Sequence, residues 1–480
     1  MKTRSVGPFE WEVPVGEVVG MRVPGRVFAD DDGIAKARDD RALEQVANVA
    51  TLPGIVRASY AMPDIHWGYG FPVGGVAATD ADAGGVISPG GVGFDICCGV
   101  RLLRSDLTND DVRGHIGELA RDLGKRIPRG VGTKGMLRLD RSELAAVMRD
   151  GAAWVLSRGL GWESDIERCE DHGRLEGADP SAVSDRAYDR GAPQCGSLGA
   201  GNHFLEIQEV DEIIDTAAAE AFELALGTVC VMLHTGSRGL GHQVCTDELK
   251  IFDKLMRTTG IEVPDRQLAC GPVESPEAQR YFGAMAAAAN FARANRHALA
   301  HGVRETFADV LGRTAEDMGM RLVYDVAHNL AKMERYEVDG RERNLCVHRK
   351  GATRAFGPGH PELVDRYRPI GQPVIVPGSM GTHSYVLVGT ERGRDKSFWS
   401  TCHGAGRAMS RTQAKKRMGG HQVKAELEGS GVLVNATHPG LLAEEAPYAY
   451  KDVARVVDTC EGAELSRKVA RLRPLAVIKG

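Results

Sequence analysis

Between Ser88 and Arg101 the chain reads Ser88-Pro89-Gly90-Gly91-Val92-Gly93-Phe94-Asp95-Ile96-Cys97-Cys98-Gly99-Val100-Arg101. Glycines at 90, 91, 93 and 99 leave little side chain around Asp95 and Cys98. The backbone there can turn sharply and come close to whatever is bound. Asp95 and Cys98 stand three apart, so a hard carboxylate oxygen and a soft thiolate can converge on a metal from one turn. A buried Asp capping a turn beside a structural Cys is the plain alternative. This stretch alone does not separate the two.

Glycine is frequent throughout, 59 of 480 residues, and much of it falls inside such motif-like stretches rather than in linkers. That suits a backbone that approaches ligands at several points. Hydrophobic residues at 42% and charged residues at 26% give a soluble globular balance. No apolar run is long enough to span a bilayer, and Met1-Lys2-Thr3-Arg4-Ser5-Val6-Gly7-Pro8 lacks the apolar core of a secretion signal. The ten cysteines show no paired CxxC framework, which argues against a zinc ribbon or disulfide scaffold. A cytoplasmic protein with reduced thiols is the expectation. A net charge of −5 argues against a generally basic nucleic-acid coat, though not against a local basic groove.

Taken in order, residues 11–30 alternate apolar and polar and predict early strands. Asp39 to Thr51 predicts a helix. Asp64 and His66 flank one residue, so on a strand they face one side. They fit a hydrogen-bonded pair under a loop, or a pair orienting metal ligands or substrate. Asn109 to Arg126 predicts a helix with Asn109 as N-cap. The basic loop Ile127 to Gly135 lacks P-loop spacing. Glu163 to Arg190 is charged and predicts a variable surface segment. Asp211 to Leu226 predicts a helix, Thr228 to Leu233 a buried strand delivering His234, residues 275–317 a helical region, and Arg321 to Ala327 a strand ending in His328. Val374-Ile375-Val376 and Ser384-Tyr385 bracket a tight turn. No linker or fixed-period repeat appears. The expected fold is α/β (mixed α+β): one compact domain over 1–480, with mixed β-sheets at the core and helices outside.

Asp95, Cys98, His203, His234 and His328 form a mixed oxygen, sulfur and nitrogen set, with each His at or near a strand end. Such a set can hold one or two divalent ions, Mn²⁺ or Zn²⁺, although a single His of this kind is more often a core group. His403 sits in the glycine-rich turn Ser400-Thr401-Cys402-His403-Gly404-Ala405-Gly406-Arg407. From Thr401 to Lys424 the chain has no Asp or Glu. Arg407, Arg411 and Lys415 are four apart and line one helix face. Glycine N–H groups and a helix start make a phosphate cradle, with an imidazole at its mouth placed to attack phosphorus. A solvated helix face is the bland alternative for the charges.

Gly93–Arg101, Gly199–Glu206, His234–Gly241, His348–Arg354, Pro377–Tyr385 and Ser400–Arg407, in this order, resemble the RtcB family of RNA 3′-phosphate ligases. The resemblance runs from Pro63 to Lys479-Gly480. It implies a GTP- and Mn²⁺-dependent enzyme joining RNA ends with a 2′,3′-cyclic phosphate or 3′-phosphate to 5′-hydroxyl RNA ends. By motif position, Cys98 would bridge two Mn²⁺, one also held by Asp95 and His203 and the other by His234 and His328. His403 would carry GMP. Asn202 would contact phosphate. Glu206, Ser379, Ser384, Tyr450 and Lys479 would form the nucleotide pocket, with Gly404, Ala405 and Gly406 beside them. Arg238, Lys350, Arg407 and Arg411 would hold RNA phosphates. Cys97 stands where many relatives carry Asn or Gly. An archease-type activator is a candidate partner, and a monomer is expected. A dinuclear metal-dependent RNA phosphodiesterase without nucleotidyl transfer is the rival, separated by GTP dependence.

Overall fold

The computed structural model describes residues 1–480. Two large sheets meet at the site. The first has seven strands in the order Arg4–Gly7, Glu10–Val13, Gly25–Phe28, Ser59–His66, Val73–Asp80, Arg341–Lys350 and Asn329–Val338. The second runs Arg321–Ala327, Gly99–Thr108, Thr228–Thr235, Phe204–Ile213, Ser466–Lys479, Ser384–Gly389 and Pro373–Val376, with Leu433–Ala436 lying parallel to Ser466–Lys479. Pairing is otherwise mostly antiparallel, so the expected α/β fold with mixed sheets is what the chain adopts. Thr228–Thr235 is buried at every residue, as its apolar run requires of a central strand.

The helix Pro276–Leu311 lies against these sheets. Ser275 caps it, Pro276 starts it, and Gly312 at φ 65° ends it in the left-handed region. Every residue from Gly283 to Ala300 is buried. Such a helix is clad all round by protein. Its buried polar side chains therefore need partners: Asn295 and Arg296 find them in the loops at Ser197, Gly236 and Cys97, and Asn290 and Arg304 at Leu175 and Asp165.

Three sequence expectations are corrected. The helix expected over Asn109–Arg126 divides into Asn109–Val112 and Ile116–Arg126, and the cap is Thr108, closed by a reciprocal box with Asp111. The helix expected over Asp211–Leu226 shrinks to Thr216–Ala221. Before it, Asp211 and Glu212 stay in strand because the neighbouring strand offers Arg471 to both, and Asp215 caps the short helix. Glu163 to Arg190 is surface only in part. Asp165, Cys169 and Glu170 are buried: Asp165 takes a two-pronged ion pair from Arg304, and Glu170 accepts from the Ala327 N–H at 2.9 Å. Carboxylates that looked solvated are partners for buried arginines.

Candidate active site

The glycine-rich stretch opens with a short 3₁₀ turn at Pro89–Gly91, and Asp95 and Cys98 share the tight turn expected of them, the Cys98 N–H donating to the Asp95 carbonyl at 3.0 Å. Cys97 has φ 56°, a left-handed conformation that favours Gly or Asn over a side chain such as Cys. It is held there from both ends. Its N–H donates to Asn329 O at 2.7 Å, and its carbonyl accepts from Arg296 Nη1 at 2.8 Å.

Asp95 Oδ1 accepts from the Ser237 N–H at 2.9 Å, and Oδ2 lies 2.8 Å from His203 Nε2. The chain passes so close at Gly236 that a Cβ would stand 2.4 Å from Asp95 Oδ1. His203 Nδ1 faces the Leu198 carbonyl at 2.9 Å, which turns Nε2 toward Asp95 and Cys98. Cys98 Sγ is 3.4 Å from His203 Nε2 and 3.3 Å from His234 Nε2, and His234 Nε2 is 3.3 Å from His328 Nε2. Two metal-capable triplets result: Asp95, Cys98 and His203, and Cys98, His234 and His328. Cys98 belongs to both.

The donors fit divalent cations. Burial holds the His234 and His328 imidazoles well below their usual pKa, so both are neutral. Two neutral ring nitrogens and a sulfur converge with too few hydrogens to satisfy their lone pairs, and His234 Nδ1 is buried with no partner. Sulfur, imidazole and carboxylate together suit Mn²⁺ or Zn²⁺.

His403 stands beside this cluster, its ring centroid 4.8 Å from that of His328. Asp64 Oδ2 lies 2.5 Å from His403 Nδ1 and also accepts from the His403 N–H at 2.9 Å. With Nδ1 engaged, Nε2 is the free nitrogen. Asp64, left undecided by the sequence, is thus an orienting group; its i+2 spacing to His66 was the only signal. Gly406, at φ 73°, lets the loop after His403 lie on the Asp64 strand, where a Cβ would meet Asp64 O at 2.2 Å.

A cavity of about 270 Å³ opens in front of His403. Its lining includes Asp95, Cys98, Asn202, His234, His328, Lys350, Ser379, His403, Gly404, Ala405, Gly406, Arg407, Arg411, Tyr450 and Lys479. Four expected residues do not line it. His203 and Arg238 line an adjoining groove that Asp95, Asn202 and Arg411 share with the cavity. Glu206 and Ser384 lie out of contact with the cavity, bridged by Gln208, whose Nε2 donates to Glu206 Oε2 at 2.7 Å and Ser384 Oγ at 3.1 Å. Burial pushes the Glu206 carboxyl up to about 8.

Two charge readings change. Lys350 is buried and its ammonium donates to the Tyr69 and Phe71 carbonyls, so it braces backbone; burial brings it down to about 7. The basic run after Thr401 is not one helix face, since the helix is Arg411–Arg417, capped by Ser410, and Arg407 precedes it; the run also has acids, supplied from further along: Glu445 pairs with Arg407 and Arg411, each at 3.2 Å, and Glu444 pairs with Lys415 at 2.5 Å. Glu445 also accepts from the Tyr450 hydroxyl. Sequence reasoning gave Glu445 and Asn329 no role, although Asn329 adjoins His328 and its Oδ1 accepts from the Gly351 N–H at 2.8 Å.

No helix is long and apolar enough to cross a membrane. The model of the family described as tRNA-splicing ligase RtcB matches residues 45–480. The tRNA-splicing ligase RtcB of Archaeoglobus fulgidus is 54% identical over 477 residues, covering 99% of this chain and 98% of that protein. That of Thermococcus kodakarensis is likewise 54% identical over 477 residues, with the same coverage. The RNA-splicing ligase RtcB of Mycobacterium tuberculosis is 54% identical over 438 residues, 91% of this chain and all of that protein. Matched along nearly its whole length by a family model and by these relatives, the chain belongs to the RtcB family.

Proposed function

We propose that the protein joins RNA 2′,3′-cyclic-phosphate or 3′-phosphate ends to RNA 5′-hydroxyl ends, consuming GTP through a guanylylated His403. The observation that carries this is the Asp64–His403 pair set against the two ligand triplets. Nδ1 of His403 is anchored on a carboxylate, so Nε2 is aimed and electron-rich, as a nucleophile at phosphorus requires. A plain metal phosphodiesterase would need no such group.

His403 Nε2 attacks the α-phosphorus of GTP, a P–N bond forms and pyrophosphate leaves. Asp64 stabilises the positive charge that builds on the ring. A 2′,3′-cyclic end is first opened by water, which breaks the P–O2′ bond and leaves a 3′-phosphate and a 2′-hydroxyl; an oxygen of the RNA 3′-phosphate then attacks the guanylyl phosphorus, the P–N bond breaks and His403 is restored. The RNA 5′-hydroxyl attacks the activated 3′-phosphate and GMP leaves. Asp95, Cys98 and His203 would hold one Mn²⁺ and Cys98, His234 and His328 a second. Two such ions neutralise phosphate charge and favour in-line displacement. Asn202 and Arg407 would bind phosphate, beside the Gly404–Gly406 turn, whose Gly404 and Ala405 N–H groups are already given to Asp64 Oδ2 and the Pro377 carbonyl. Ser379, Tyr450 and Lys479 would surround the guanosine, and Glu206 and Ser384 would complete the pocket behind them.

The test is labelling with GTP carrying a labelled α-phosphate. Acid-labile label on the denatured wild type, absent from His403→Ala, is expected. An unlabelled wild type that still hydrolyses cyclic-phosphate RNA would replace this reading with the phosphodiesterase.

A further inference from the structure

The catalytic cavity continues into two grooves. The groove shared through Asp95, Asn202 and Arg411 lies on the side of the metal-capable residues. The other, of about 580 Å³, joins the cavity through His66 and Arg407, on the side of Asp64 and the loop that follows His403. Trp67 stands on its wall and is 45% exposed. An indole left in water is costly by the area argument. Gln45, fully buried, clamps the next peptide from both sides: its Nε2 donates to Gly68 O at 2.8 Å and its Oε1 accepts from Gly68 N–H at 2.9 Å. The Arg41 guanidinium lies 5.6 Å from the ring centroid.

We propose that this groove receives the RNA strand that ends in the 3′-phosphate, with an unpaired base near that end stacked on Trp67. The proposal rests on the ligase reading above. Joining needs two strands at one centre, and the cavity offers two approaches. A 5′-hydroxyl must lose its proton to react, so its terminus belongs on the metal side, where coordination lowers a hydroxyl's pKa. A 3′-phosphate is already an anion near neutral pH and needs no such help. The Trp67 groove is left for it. Its charges agree with a base more than with a phosphate track. Asp39 and Asp40 offset Lys36 and Lys451 along the wall, and the Lys451 ammonium is turned inward to the Pro63 and Ile65 carbonyls. An aromatic platform binds any base and carries little sequence preference.

The test is ligation of two RNA oligonucleotides, each varied while the other is saturating. Trp67→Ala is expected to raise KM for the 3′-phosphate strand about tenfold, with KM for the 5′-hydroxyl strand unchanged and the thermal midpoint retained. Trp67→Phe keeps a ring and should stay within about twofold of wild type. Shortening the 3′-phosphate strand to a nucleoside 3′-phosphate should abolish the difference between Trp67→Ala and wild type. An unchanged KM in Trp67→Ala, or a rise in the 5′-hydroxyl strand alone or in both strands equally, overturns the proposal while label on wild-type His403 still supports the ligase reading. An unlabelled, non-joining wild type removes both.

Discussion

Asp64 and His403 lie 339 residues apart in the chain and 2.5 Å apart in space, Oδ2 to Nδ1. The contact fixes which ring nitrogen is free. Asp64→Asn keeps the shape but presents an amide to the ring, favouring the wrong tautomer. His403 labelling by GTP is expected to slow by about three powers of ten, with the thermal midpoint close to wild type. Single-turnover labelling rates measure it; a rate within threefold of wild type would show that Asp64 only supports the loop.

Cys97 occupies a left-handed conformation that costs a residue with a Cβ about 1–2 kcal/mol. Asn tolerates it better, and its carbonyl could accept from Arg296, which already approaches the Cys97 sulfur at 3.8 Å. Cys97→Asn is expected to raise stability by about 1 kcal/mol in denaturant unfolding without loss of activity.

Glu206 gives a pH signature. Its usual pKa is 4.5 and burial raises it to about 8 in the folded chain. The folded state therefore holds a proton that the unfolded state releases. The associated stability is complete below pH 4.5 and is lost as pH rises toward and through 8, by about 1.4 kcal/mol per unit at most. Melts across that window should show the loss, and Glu206→Gln should flatten it.

Asp325 is buried between two guanidiniums, Arg101 Nε at 2.7 Å and Arg296 Nη2 at 2.8 Å. Arg296 also donates to the Cys97 and Thr235 carbonyls, each next to a metal-capable residue. Asp325→Asn leaves two buried cations without their counter-ion and is expected to cost about 3–5 kcal/mol. Because Arg296 would also shift, Mn²⁺ affinity by equilibrium dialysis should fall about tenfold or more.

The sequence made the metal-capable residues legible because such chemistry is restricted to few residue types, and because His234 and His328 end apolar runs. It made His403 legible through the glycines that surround it. Asp64 stayed ambiguous and Glu445 went unassigned because an acid's partner can lie tens or hundreds of residues away, and no periodicity reports such pairings. The bonds from Lys350 to the Tyr69 and Phe71 carbonyls were hidden for the same reason: a basic run does not show that the strand carrying it is interior. The Asp211–Leu226 boundary failed because Arg471, a partner from a distant strand, overrode local helix preference.

The strand Ser466–Lys479 joins Phe204–Ile213 to Ser384–Gly389 and sets Lys479 in the cavity wall. During synthesis nearly every other side chain of the site leaves the ribosome earlier, yet the sheet that aligns them stays split until this segment arrives. Loop closure over such sequence separations is slow. Partial chains would thus hold the metal-capable side chains without a catalyst, and activity should appear late and all at once, set by the docking of one strand.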